Sequence, residues 1–401
     1  MCYTTVGAIH ESPTIINKNA NYDHEKEAFP LKYWRGYLVA AILAAIAGGL
    51  HWFAAGHRAL MDMVYPYVTR LIMTTLADIS AGTSICLWQL ILFLLIAGVV
   101  ALVVFTILRR WSITRLVGWC LAAVSLIYLL NTGIYGLNHY AGPIADDIQL
   151  DITGYTVNDL EATTKHFLNR ANELAQQVNR NSKGDVEFAD FKTLAEQAGD
   201  GFSYLTYEEG LSVFAGSTAP VKKLGMSWLY SIFGVGGNFT PLTGEAAVNA
   251  HVDPIALPFV MCQEMAKRMS IVKDADASFA AYLACRGNAS VEFLYSGYFV
   301  AYRYCYNALK QVADVSALDH MTCAQLKHDL DNFNDLGIYN EKVTKLSSAR
   351  VESDSEYGSI TDCLVSGYIQ EFIVPLQIEE ETKFDPMDES QVDLSGLVNA
   401  R

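Results

Sequence analysis

Three long runs with almost no charge, at residues 37–55, 85–108 and 116–137, constrain this chain more than any motif it carries. Each is close to the roughly 20 apolar residues that an α-helix needs to cross about 30 Å of hydrocarbon. In that environment every backbone amide must be bonded within its own segment. The expectation is three transmembrane helices. A secretory signal peptide is the competing reading of the first run, but that run starts well inside the chain and has no convincing small-residue cleavage site before the second.

Orientation follows from basic residues. The segment RRWSITR between the second and third runs carries Arg109, Arg110 and Arg115 with no acidic residue, and such loops stay on the cytoplasmic side. Lys26, Lys32 and Arg35 ahead of the first run agree, while residues 56–84, with two basic and two acidic side chains, suit the outer face. The expected division is a cytoplasmic segment 1–36, a membrane region 37–137, an outer domain 138–375 and an acidic tail 376–401 too poor in apolar anchors to fold.

Composition supports that division. Of 401 residues, 52% are hydrophobic and only 18% charged, which leans towards a membrane protein. Beyond residue 137 the balance reverses, with 19 basic against 37 acidic side chains and a net charge of −18. A domain so acidic repels nucleic acid and anionic headgroups, so the partners expected are the bilayer itself and a peptide, a cell-wall component or another protein, and not nucleic acid. The eight cysteines include no CxxC pair, and five of them lie beyond residue 137. An odd number in the outer domain argues against a complete disulfide framework and against a thiolate zinc site, leaving room for one bridge.

The outer domain reads as mainly helical. Residues 157–178 repeat apolar side chains at helical spacing, a second helix is expected at 188–198, and 204–249 turns to Gly, Pro and Thr with short strands. Three helices follow at 257–269, 276–285 and 292–312, and two more near 323–337 and 358–374. The aromatic-rich third of these, with Glu292, Arg303 and Lys310, suits a core helix better than a fourth span. No repeat, P-loop or dinucleotide fingerprint is present, and Ser212, Ser217 and Ser227 lack a nucleophile-elbow context.

One stretch carries a chemical question. PFVMCQEMAKRMS places Gln263, Glu264 and Lys267 at the spacing where zinc peptidases set two histidines and a general-base glutamate on one helical face. Zinc in such sites is held by three protein ligands with one position left for water. An amide oxygen is a poor zinc ligand, and an ammonium has no lone pair and repels a dication.

The four stretches FTPLTGEAAVN, LPFVMCQEMAKRMSI, DADASFAAYLAC and LYSGYFVAYRYCYNAL, taken in order, resemble the bacterial domain-of-unknown-function 3810 family over about residues 37–372. The resemblance implies a multi-pass bacterial plasma-membrane protein with an extracytoplasmic, zincin-like domain of gluzincin type that ordinarily holds zinc. It gives Glu264 as the vestigial general base. Gln263 and Lys267 stand for the two histidines, Asp276 for the third, glutamate ligand and Ser278 for an asparagine. The fold class expected is mainly α, three transmembrane helices plus a helix-rich zincin-like domain with a few short strands. No zinc and no other cofactor is expected, Lys267 being suited by charge to replace the cation beside Glu264 or Asp276.

The function expected is that of a pseudopeptidase that binds or scaffolds. The alternative is an active membrane-bound hydrolase with an altered metal shell of Asp276, Glu264 and His251, the last lying just before the site helix, or with no metal. His166, His320 and His328 show no ligand spacing and read as surface residues.

Overall fold

The computed structural model describes residues 34–109, 112–149, 157–310 and 313–334. Its helices and strands run α1 (Arg35–Gly56), α2 (Arg58–Met63), α3 (Tyr65–Ala81), α4 (Leu87–Leu108), α5 (Ile113–Ile134), α6 (Ile144–Asp147), α7 (Val157–Ala175), α8 (Phe191–Tyr207), β1 (Lys222–Lys223), α9 (Ser227–Ile232), β2 (Gly237–Thr240) and β3 (Glu245–Val248). They continue as α10 (Leu257–Arg268), α11 (Asp274–Arg286), α12 (Val291–Leu309), α13 (Ser316–Met321) and α14 (Ala324–Asn332). The chain is mainly helical with a few short strands, as expected. The helix expected at 358–374 and the acidic tail lie outside the described residues.

α1, α4 and α5 are each 22 residues long, and are long and apolar enough to cross a membrane. Packing distinguishes them. α1 and α5 lie side by side and in the same direction: Gly36 meets Gly118 near their starts, and His51 reaches the Tyr128 hydroxyl at 3.1 Å towards their ends. Small residues at such a crossing let two backbones approach where no hydrophobic drive separates helix from lipid. α4, the most apolar, is exposed along nearly its whole length. The third span is set earlier than the sequence indicated, ending at Ile134 with Leu137 buried in a short 3₁₀ turn.

Residues 56–84 correct the sequence reading, which saw only a connecting segment there. They form α2 and α3, and α3 buries Thr69, Arg70, Met73, Ala77 and Ser80 against the helical domain. Arg70 donates from Nε to the Met269 carbonyl at 3.2 Å and from Nη1 to the Ser212 carbonyl at 2.9 Å. The buried face of α3 is thus half polar, which hides it from a search for apolar periodicity.

The domain core is built from α7, α8, α10, α11 and α12, whose facing residues form one continuous apolar cluster. α7 appears where periodicity placed it. α8 starts later than expected and runs on to Tyr207, through Gly199 and Gly201. A Cβ on Gly201 would lie 1.9 Å from the Ala284 carbonyl oxygen, so glycine there lets α8 press against α11, and tertiary contact overrides its poor helix propensity. The aromatic run in α12 is core, with Tyr295, Phe299 and Tyr302 buried. Three short strands in the order β1-β3-β2 lie against α10; β1 is parallel to β3, with Lys222 opposite Ala247, and β2 is antiparallel, with Gly237 opposite Val248.

A buried ion pair joins this domain to the spans. Glu245, on β3, accepts hydrogen bonds from the amides of Leu87 at 2.9 Å and Trp88 at 2.8 Å, the first residues of α4. Lys222, on β1, meets the same carboxylate at 2.6 Å and donates also to the carbonyls of Ser80 at 2.7 Å and Ile85 at 3.1 Å. Burial works to raise the Glu245 carboxyl, but Lys222 and the two amides outweigh it and hold the group below its usual range. Removing one partner strands the other as a buried charge. Lys222→Met is expected to lower stability by about 3–5 kcal/mol, and the double variant Lys222→Met/Glu245→Gln by distinctly less, as measured by denaturation in detergent. Equal losses in the single and double variants would rule out this account.

Candidate functional site

α10 is enclosed on most sides. Pro258 occupies its first turn, where a missing amide proton costs nothing, and Phe259, Val260, Met261, Cys262, Met265 and Ala266 are buried among α8, α11, α12 and β3. Its remaining edge carries Gln263 and Lys267, one helical turn apart. Glu264 is drawn inside with the apolar residues and is only 2% exposed. β2 closes over it: a Cβ on Gly237 would lie 2.6 Å from the Glu264 Cγ, so only glycine fits there.

The polar side chains pair with one another. Lys267 Nζ lies 3.0 Å from Glu264 Oε1 and 3.3 Å from Asp274 Oδ1. Gln263 donates to the Ser278 hydroxyl at 2.8 Å, which in turn donates to the Asp274 carbonyl at 2.8 Å. Tyr135, just past α5, donates to the Lys267 carbonyl at 2.8 Å and so ties the site helix to the third span. The second oxygen of Glu264, Oε2, is buried with no hydrogen-bond partner among the described residues.

Electrostatics follow from this burial. Burial pushes the Glu264 carboxyl above its ordinary range, with Lys267 opposing. Burial alone would lower the Lys267 ammonium, but Glu264 and Asp274 outweigh it and keep the charge in place. The result is one cation between two carboxylates, the inner one deeply buried and Asp274 largely open to solvent.

Asp276 is not part of this group. Its carboxylate accepts from the Ile144 amide, beside α6, with Lys273, Asp146 and Asp147 around it. The reason is helical phase. Residues 274 and 278 are four apart and share the face of α11 that meets α10, whereas a residue two positions from each points about 200° away. Of the two carboxylates that sequence reasoning named as neutralised by Lys267, Glu264 is met and Asp276 is not; Asp274, which it missed, takes that place. The i, i+4 spacing to Ser278 was the signal that identifies it.

The four histidines weighed from the sequence are dispersed. His251 is exposed, 3.4 Å from the Ser231 hydroxyl, and His166 packs against Phe167 and Tyr298. His328 meets Asp185 at 3.0 Å, and His320 is exposed on α13. Among the described residues no three His, Cys, Asp or Glu side chains are placed to hold a metal ion, so Asp276, Glu264 and His251 do not form the altered shell considered from the sequence. The donors at the Glu264 site likewise do not suit zinc. An ammonium stands at one expected ligand position and an amide at another, and the third carboxylate has turned away.

Behind the site the Sγ atoms of Cys262 and Cys285 lie 3.8 Å apart, both fully buried, and burial raises the Cys285 thiol well above its usual value. The six cysteines among the described residues are free thiols, including all four described in the domain beyond the spans.

Asp276 supplies a pH signature. Burial raises its carboxyl from the ordinary 3.8 to about 6, Lys273 and the Ile144 amide opposing. Between about pH 4 and 6 the folded chain therefore holds a proton that the unfolded chain has released. The contribution to stability is fullest below about pH 4 and is lost as pH rises to about 6. Asp276→Asn is expected to gain about 1–2 kcal/mol at pH 7 and nothing near pH 4, after allowance for its partial exposure. Melting temperatures of both proteins across that range test this, and a difference independent of pH would contradict it.

No curated protein and no solved structure matches this chain. A family model does match it, over residues 61–351, a narrower range than the four stretches indicated and one that begins after α1. With well over half of its length covered, the chain belongs to the DUF3810 family, described as a protein of unknown function.

Proposed function

We propose that this protein is a membrane-anchored pseudopeptidase: a multi-pass protein of the bacterial plasma membrane whose zincin-like domain binds or scaffolds rather than hydrolyses. Its partner would be a peptide, a cell-wall component or another protein. The observation that carries the reading is the ammonium of Lys267, 3.0 Å from Glu264 and 3.3 Å from Asp274, at a ligand position of the motif. A fixed cation there answers the Glu264 charge that a metal would otherwise answer, without offering a site for water activation.

Orientation belongs to the same proposal. The domain and α3 pack together beside the start of α4, and Arg109 and Arg115 lie at the far ends of α4 and α5. With those arginines inside, three crossings carry the domain to the outer face.

Elemental analysis of the purified chain tests the reading directly, with no stoichiometric zinc expected and about one zinc per chain overturning it. Gln263→His/Lys267→His combined with Asp274→Glu is expected to bind zinc. The same pair combined with Asp276→Glu is expected not to, because that side chain faces α6.

The unpartnered Oε2 of Glu264 favours a second reading, since a buried carboxylate with a raised pKa is also what a general base requires. On that reading the protein is a membrane-bound hydrolase that works without the Asp276, Glu264 and His251 metal shell, with Glu264 itself as the base. Cleavage of a peptide library that falls by about 100-fold or more in Glu264→Gln would establish it, and activity indifferent to that substitution would exclude Glu264 as the base.

A further inference from the structure

α3 has two unlike faces. The buried one grips the domain, while Val64 before it and Tyr67, Val68, Leu71 and Ile79 along it form an exposed apolar stripe at helical spacing. The helix connects the end of one span to the start of the next, so its outward stripe continues the apolar surface of the spans. The other side of the α4 entrance repeats the pattern: Met226, Trp228, Ile232 and Phe233 are exposed on and around α9, whose Tyr230 packs edge-on against Trp88 at 6.4 Å. Such faces belong at the boundary between headgroups and acyl chains.

A groove of about 530 Å³ opens along this stripe, between α3 and α8. Tyr67, Leu71, Phe202, Thr206 and Tyr207 contribute to its walls, and Tyr207 on the α8 lip is 82% exposed. Arg70 lines it too and is 7% exposed. Two of its nitrogens bond main-chain carbonyls, and the guanidinium lies over the Tyr67 ring at 5.3 Å, while Nη2 makes no hydrogen bond among the described residues. Burial lowers its guanidinium somewhat, with Asp147 and Tyr67 opposing, but arginine remains a cation at any working pH. A partly unsatisfied cation at the side of an apolar groove, level with the membrane surface, calls for an anion attached to a hydrocarbon chain.

We propose that this groove is a phospholipid site, in which the Arg70 guanidinium takes the phosphate of a bilayer lipid and the exposed wall of Tyr67, Leu71 and Tyr207 takes the upper part of an acyl chain. A guanidinium is suited to phosphate by its planar, multiple donors. The acidic charge of the domain argues against a lipid with net negative charge, and a zwitterionic headgroup carries the phosphate without that repulsion.

The full chain in non-ionic detergent, titrated with phosphatidylethanolamine and read by native mass spectrometry, tests the site. One retained lipid per chain is expected, with apparent affinity lowered at least tenfold by Arg70→Gln and by Thr206→Trp, which fills the groove and leaves both Arg70 bonds intact. If Arg70→Gln fails to fold, the Thr206→Trp result decides. Diacylglycerol, which has the chains but no phosphate, is expected to bind at least tenfold more weakly, and millimolar inorganic phosphate to displace none of the lipid. Wild-type retention in Thr206→Trp would place the lipid on the spans instead. Diacylglycerol binding equal to that of phosphatidylethanolamine would reduce the groove to an apolar cleft, and displacement by phosphate would make it a site for a free anion; each overturns the proposal.

Discussion

The contact on which this architecture turns is the carboxylate of Glu245 held between Lys222 and the first amides of α4. A helix leaves its first four N–H groups without intrahelical partners, and at the entrance to a membrane neither lipid nor a distant loop can supply them. Here the domain supplies two, from a strand, with a charge that also favours the helix dipole. Lys222 makes that charge tolerable and binds the carbonyls of Ser80 and Ile85, so the end of α3, the start of α4 and the two strands meet at one ion pair. The cost of burying two charges gives little net stability, but it admits one arrangement of strand and span.

Position then passes from that pair to the site. β3 carries Glu245 at one end, pairs with β2, and packs on α10. Through this register Gly237 on β2 comes to lie over Glu264, while Tyr135 at the end of α5 holds the Lys267 carbonyl. Arg268, also buried, donates to the carbonyls of Ser217 and Ala219, and the Ser217 hydroxyl reaches Asp78 on α3 at 2.7 Å. The membrane region and the site helix are therefore fixed to each other by polar contacts on two sides.

The sequence made the spans and the core helices plain, because an apolar run of 22 residues and the 3.6-residue repeat of α7 each express one dominant environment. It hid α3, whose environment is inverted. The side facing the protein holds Thr69, Arg70 and Ser80, while the side facing away holds Val68, Leu71 and Ile79, so neither the pattern of a soluble helix nor that of a span is matched. It hid the second half of α8 because two glycines that normally weaken a helix here admit close neighbours, Gly201 the backbone of Ala284 on α11 and Gly199 that of Thr218. At the site, Glu264 and Lys267 were legible from spacing on a single helix. Asp274 was legible only through its i, i+4 spacing to Ser278, since a motif fixes which residue corresponds to a ligand but not the phase of a second helix against the first.

That phase bears on what the site can be. Lys267 brings a single positive charge to two carboxylates. One of these, Asp274, is exposed enough for water to screen it, so the ammonium is left chiefly to Glu264. Only Oε1 of that residue is engaged; Oε2 remains buried with no protein donor among the described residues, at a cost of about 1–3 kcal/mol by the usual measure of an unmade hydrogen bond. A polar knot present only for stability would gain by removing both charges, since an apolar pair of like volume is often as good or better. A carboxylate oxygen left unpaired in so dry a place fits a site whose polarity serves a ligand, and it is on this ground that recognition is the stronger form of the proposed function.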